Sequence, residues 1–357
     1  IYTLSLHDAL PISMERVLKS LSFQEPDRVP LFLLLTMHGA KELGMTIREY
    51  FSSAENVVRG QILLRRKYDN DCYFPFFYAG REIEALGGDV VYSEDGPPNA
   101  GEPIIKKVED IERLAMPDPR TVRPLQNVLK AINALKEDGR GGVPVLGVVI
   151  SPFSLPVMQM GFERYLDILY DDRAFFDRLM RFNKEFSVRW ANAQVEAGAT
   201  AICYFDPLSS PSITDVETFK ATGYPIAKEV ISRIKAPVAM HFASGLCMDI
   251  LDLLPATGTV AIGFSALENI PKLKEKASGL KLSLIGNLNG VEMISWDRKK
   301  AEETVRKAIE QGAKGGGFVL SDNHGEIPFQ VSDEVLKAIS EAVHRWGEYP
   351  LSEGITR

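Results

Sequence analysis

From about residue 143 onward, short apolar runs alternate with amphipathic stretches in a steady rhythm. The run "VPVLGVVI" (143–150) lacks polar alternation, which is the pattern of a strand covered on both faces. Helical signals follow in "FERYLDILYDD" and in 172–197, where Phe175, Leu179, Phe182, Phe186 and Trp190 recur at spacings of three and four. "TAICYF" (200–205), "APVAMHF" (236–242), "TVAIGF", "KLSLIG" and "GGFVL" repeat the strand signal, and helical patterns at 214–233, 247–254, 267–277, 298–312 and 331–346 intervene. Gly198, Gly258, Gly279 and Gly312 stand where helices should stop.

Two earlier runs, "VPLFLLL" (29–35) and "CYFPFFY" (72–78), are further strand candidates, separated by helical patterns at 40–50 and 54–68. The total is about eight strands, and βα units in that number predict an α/β fold, a (β/α)8 TIM barrel with an N-terminal helical extension. The stretch "DVVYSEDGPPNAGEPIIKK" (89–107) reads as a hairpin-like insertion. No G-x-G-x-x-G opens a helix after the first strand, so a dinucleotide-binding fold has no support.

In such barrels the reacting groups stand on the loops after the strand C-termini. His38 follows "LFLLL", Tyr78 and Glu82 follow "CYFPFF", Asp206 follows "AICYF", His241 closes "APVAM" and Asn287 follows "SLIG". Ser321, Asp322, Asn323, His324 and Glu326 follow "FVL". Either His241 or His324 alone reads equally well as a hydrogen-bonded loop residue; together, with Asp206 and Glu326, they read as a functional cluster. Zinc needs three protein ligands and an open position, and imidazole with carboxylate is a workable set. His324, His241 and Asp206 are therefore the expected catalytic groups, and His241, His324 and Glu326 the expected metal ligands. Asp206 in "FDPLSSPS" reads alternatively as a turn cap. The aromatic run 73–78 should turn some rings over the cavity, which makes Phe76 and Tyr78, with His38 and Asn287, the expected substrate contacts. His344 falls among charges and reads as surface; Cys72 and Cys203 read as core, and Cys247 as a small buried filler.

Composition narrows the function. The chain has 357 residues, 45% of them hydrophobic, and a formal net charge of −7 without a Lys/Arg stripe, so neither nucleic acid nor an anionic membrane is an expected partner. Three scattered cysteines fit a reducing, cytoplasmic location, and no apolar run approaches the roughly 20 residues of a membrane helix. The opening "IYTLSLHDALPIS" (1–13) resembles a translated sequencing adapter. Residues 1–13, including His7, are accordingly expected to be a non-native leader, with Met14 the natural start and 14–357 a single domain.

The segments "PFFYAGREIEALGGDV", "GVVISPFSLPVMQMG", "AGATAICYFDPLSS", "VAMHFASG", "LIGNLNG" and "SDNHGEIP", in that order, resemble the uroporphyrinogen decarboxylase superfamily. The likeness is closer to its cobalamin-dependent methyltransferase branch, the methylcobamide:coenzyme M type. In the decarboxylase branch, arginines after the first strand hold the carboxylates of a tetrapyrrole and an aspartate after the second contacts its pyrrole nitrogens. Here "LFLLLTMHGAKELG" has no arginine, Tyr78 falls near that aspartate, and Met158 replaces a tyrosine, while His324 aligns with that branch's C-terminal histidine. In the methyltransferase branch a His-x-Cys pair and a later cysteine hold zinc; here His241 is kept, Ala243 replaces one cysteine and His324 the other.

The resemblance thus implies a corrinoid-linked methyltransferase. It would move a methyl group between a small methylated substrate and a cobalamin on a separate carrier protein, assisted by zinc or, without metal, by His324 as acid and His241 as hydrogen-bond donor. The alternatives are uroporphyrinogen decarboxylation and a non-catalytic tetrapyrrole or corrinoid binder. Homodimers are frequent in the families it resembles.

Overall fold

The structure, a computed structural model, describes residues 12–351; His7 and the rest of 1–11 lie outside the described residues. Its strands are β1 (Leu31–Phe32), β2 (Val90–Val91), β3 (Asn99–Ala100), β4 (Leu146–Ile150), β5 (Ala201–Phe205), β6 (Val238–His241), β7 (Ala261–Gly263), β8 (Ser283–Leu288) and β9 (Phe318–Asp322). Seven of them form one sheet in the order β1-β9-β8-β7-β6-β5-β4, every pair parallel, while β2 and β3 make the ribbon expected in 89–107.

The sheet curls into a barrel, and residues 71–73 close it. Asp71 N–H donates to the Leu31 carbonyl (2.9 Å), Tyr73 N–H to Pro144 (2.8 Å), and Leu146 N–H to Tyr73 (3.0 Å). The run "CYFPFFY" is therefore an eighth stave only at its start, where Tyr73 bridges Val145. Pro75 has no N–H for a ladder. Side-chain amides take over instead: Asn70 both accepts from Leu33 N–H and donates to Leu33 O, and Gln61 accepts from Phe74 N–H and donates to Leu35 O.

The N-terminal helix Ser13–Leu21 lies across the barrel's lower end with Val17 turned into it. It is tied there through Asp71, a fully buried carboxylate that takes Arg16, Arg28 and the Leu31 N–H. The long helix Arg173–Ala197 and the helix Arg298–Gly312 follow the expected periodicity almost to the residue. Three expected helices change form. The pattern at 40–50 breaks into His38–Leu43 and Ile47–Tyr50 around Gly44, whose φ of 63° ends the first. That at 214–233 breaks at Thr222 into Val216–Ala221 and Gly223–Ile231. That at 247–254 is a 3-10 coil, Met248–Thr257, with Pro255 inside it. Among the described residues no helix is long and apolar enough to cross a membrane.

Candidate active site

β6 ends at His241, whose neighbours across the sheet are Phe205 and Gly263. The imidazole lies against the Phe205 ring, with centroids 5.6 Å apart, and over Gly263, where a Cβ would come within 2.2 Å of it. Only glycine leaves room for the ring. The Ala243 N–H donates to His241 Nδ1 at 3.0 Å. Nδ1 is thus an acceptor, so the neutral ring carries its proton on Nε2. That Nε2 is buried and has no partner. Burial, reinforced by nearby His324, pulls the His241 pKa down to about 4, leaving a neutral N–H donor at physiological pH.

The loop after β9 supplies the rest. Asp322 Oδ2 accepts from the N–H groups of His324 (2.9 Å) and Gly325 (2.8 Å), while Oδ1 is buried without a partner. Burial pushes this carboxyl up to about 6. Glu326 Oε2 accepts from the Thr36 hydroxyl (2.6 Å), and burial beside Asp322 pushes it up to about 7. His324 is half-buried; its Nδ1 lacks a partner and burial lowers its pKa. Gly325 packs on Phe205, where a Cβ would lie 3.0 Å from the ring, and so holds this loop down over His241. The mouth therefore gathers two neutral imidazoles and two carboxyl groups that hold protons near neutrality.

Other expected residues go elsewhere. Asp206 does not join the cluster: it is fully buried and accepts from the hydroxyls of Ser151 (2.6 Å), Ser154 (2.7 Å) and Ser209 (2.6 Å), which tie the end of β5 to the loop after β4, and its side chain makes no cap bond to the 3-10 turn that follows. Tyr78 is buried under the ribbon, its hydroxyl bonded to Glu84 and Tyr92 and its ring under the Arg81 guanidinium. His38 packs edge-on to Phe329 near Lys41, and burial lowers its pKa to about 3. Glu82 sits behind β4, accepting from Ile150 N–H (2.9 Å), and burial raises it to about 8. Asn287 braces two mouth loops by donating to Ser265 O (3.0 Å). Phe76 does face the barrel interior, beside Phe74. Thr36 and Phe205 carry no role in the sequence reading; Phe205 was legible as the residue two beyond Cys203 on the inward face of its strand.

The expected zinc set does not fit. Among the described residues no group of three or more His, Cys, Asp or Glu side chains is placed to hold a metal ion. His241 adds a chemical reason. A metal on Nε2 would move the neutral ring's proton to Nδ1, against the Ala243 N–H that already points there, whereas ligating imidazoles ordinarily donate from that nitrogen.

The fold is a (β/α)8 barrel whose strand C-termini gather the titratable groups just described. The chain belongs to the uroporphyrinogen decarboxylase (URO-D) family, whose profile matches residues 12–346. It is 22% identical to the uroporphyrinogen decarboxylase of Idiomarina loihiensis over 352 residues, covering 93% of this chain and 96% of that one. The enzyme of the same name from Staphylococcus saprophyticus is 29% identical over 276 residues, 73% of this chain and 76% of its own. Among solved structures, a methyltransferase from Methanosarcina mazei superposes with a TM-score of 0.83 at 21% identity, covering 94% of this chain and 99% of that one. A B12-independent methionine synthase from Shewanella gives 0.53 at 13% identity, covering 94% of each. These structural likenesses speak to the fold.

Proposed function

We propose that this chain is a methyltransferase of its family, moving a methyl group between a small methylated substrate and a corrinoid presented by a separate carrier protein. The observation that carries the reading is the absence of cationic side chains from six of the loops at the mouth. The loops following β4 to β9 (151–155, 206–215, 242–247, 264–269, 289–297 and 323–332) contain no lysine and no arginine. A substrate bearing many carboxylates, as uroporphyrinogen does, would find no guanidinium there. The one buried arginine beside Tyr78, Arg81, is engaged by Glu84 and by the Phe51 carbonyl. The same loops expose Ile213, Leu246, Leu267, Val291 and Ile294, an apolar rim of the kind that meets a protein partner.

The residues act as follows. When the C–O bond to the methyl group breaks, its electron pair stays on oxygen, and the methyl passes as a cation equivalent to the second substrate, a corrinoid supplied in its cob(I) form, whose own electron pair makes the new bond. The oxygen then needs a proton. Glu326 is protonated below about pH 7 and is the group with a proton to give. His324, held neutral by burial, hands on the acid role first expected of it and accepts a hydrogen bond instead. His241 Nε2–H donates to the same substrate, and Phe76 and Phe205 keep water from its apolar part.

Cob(I)alamin kept reduced under anaerobic conditions, with a series of methyl aryl ethers, and methylcobalamin with the corresponding phenols for the reverse direction, test the reading. The expected result is an absorbance change that reports methyl gain or loss at cobalt, slowed about 100-fold or more in Glu326→Gln. Carbon dioxide release from uroporphyrinogen III, without any reaction at cobalt, would overturn it.

A further inference from the structure

Eight-stranded barrels of this kind are filled by branched side chains in layers. Here the inward positions of β5, β6 and β7 carry Ala201, Cys203, Ala239, Ala261 and Gly263. They do not fill the space. A cavity of about 120 Å3 lies between them and Leu34, Phe74 and Ile285, with His241 above and Val17, Leu18 and Leu21 of the N-terminal helix below. Apart from the imidazole, the Cys203 thiol and Thr200, its walls are hydrocarbon. Ala201, Cys203 and Ala239 keep part of their surface accessible although they sit in the middle of the barrel.

The two ends differ. Above, the stacked Phe205 and His241 rings and the Gly325 loop form a layer between this space and the mouth. Below, the strand starts Thr200, Pro237 and Val260 border it, and Leu18 and Val260 are 56% and 42% exposed beside it. A closed apolar cavity of about 150 Å3 stays dry and takes up benzene or xenon. We propose that the barrel interior is a second binding chamber, for a small uncharged alkyl or aryl molecule, entered past the N-terminal helix and roofed by the His241 imidazole. Its occupant rests on the underside of a ring whose upper side belongs to the mouth.

Cys203 reports on the chamber, because the other two cysteines, Cys72 and Cys247, are fully buried. Ethylmercury chloride, small and neutral, should label Cys203 alone by peptide mass mapping, while an anionic aryl mercurial should not react on the same timescale. Benzene at about ten times its Kd should slow the labelling about tenfold. Ala239→Leu, which fills the cavity, should slow it likewise. Equal reaction with both reagents, or labelling unaffected by benzene, would overturn the chamber. Xenon applied to crystals of the unaltered protein gives a readout independent of the variant: density beneath His241 is expected, and its absence overturns the proposal. Neither experiment depends on methyl transfer, so the two readings fail separately.

Discussion

Glu326 and His241 show how burial, rather than residue type, sets chemistry at this mouth. A surface glutamate would be ionised at neutral pH; here the Thr36 hydrogen bond favours the ionised form, but desolvation beside Asp322 outweighs it and lifts the pKa to about 7. The proton is therefore available below that value and lost above it. We expect turnover to fall as pH rises through about 7, and the limb to vanish in Glu326→Gln, which cannot titrate; a limb that survives in the variant would assign it to another group. Gly263 offers a second check. A Cβ there would strike the His241 ring at 2.2 Å. Gly263→Ala should displace the imidazole and remove most activity while costing about 1–3 kcal/mol of stability, as for other small overpacking changes, measured by turnover and urea unfolding together. The strand-end rule located His241, His324 and Glu326 at the end of the barrel where the structure has them. It failed for Asp206 and Tyr78 because position says which end of a strand a residue occupies and not which partners have already claimed it. Three serine hydroxyls claim the first, and Glu84, Tyr92 and Arg81 the second.

The same distinction separates the elements that could be read from those that could not. From residue 143 onward each strand is a short apolar run and each long helix keeps a clear stripe, so β4 to β9 and their helices lie close to where periodicity puts them. The eighth stave is different. Its backbone ladder is confined to residues 71–73, the Asn70 and Gln61 side chains extend it without leaving a period in the sequence, and Pro75 stops it from continuing. Asp71 anchors that closure. Its carboxylate holds two buried guanidinium groups and one strand amide, with Arg16 at 2.5 Å and Arg28 at 2.6 Å. Removing one member of such a buried network leaves uncompensated charge, which typically costs 3–5 kcal/mol. Asp71→Ala should therefore lower the urea midpoint by that equivalent, far more than removal of an exposed pair such as Arg173–Asp177. Comparable losses from the two would show that barrel closure does not rest on Asp71.

For the whole molecule, the buried titratable groups pull stability in opposite directions along the pH axis. His38 and His241 are lowered to about 3 and about 4, so their contribution is complete above an unfolded value near 6.5 and is lost as pH falls through the folded ones. Asp322, Glu326 and Glu82 are raised to about 6, about 7 and about 8. Their sign is the reverse: the stability is complete below unfolded values near 4 and is lost as pH rises through the folded ones. Glu82 reaches furthest, and its hydrogen-bond partner is the Ile150 N–H rather than any group given a part in the chemistry, so its titration can be followed by stability alone. Its Oε1 accepts from Ile150 N–H, an interaction that glutamine keeps, while Oε2 is buried without a partner. Glu82→Gln should therefore match the parent protein near pH 5 and become progressively more stable than it up to about pH 8, the gap reaching a few kcal/mol and then staying constant. Melting temperatures of both proteins from pH 5 to 9 give the test. Parallel curves would mean that Glu82 is ionised in the folded protein. A gap that opens across this window would show that the barrel wall buries a neutral carboxylic acid, its proton retained by desolvation.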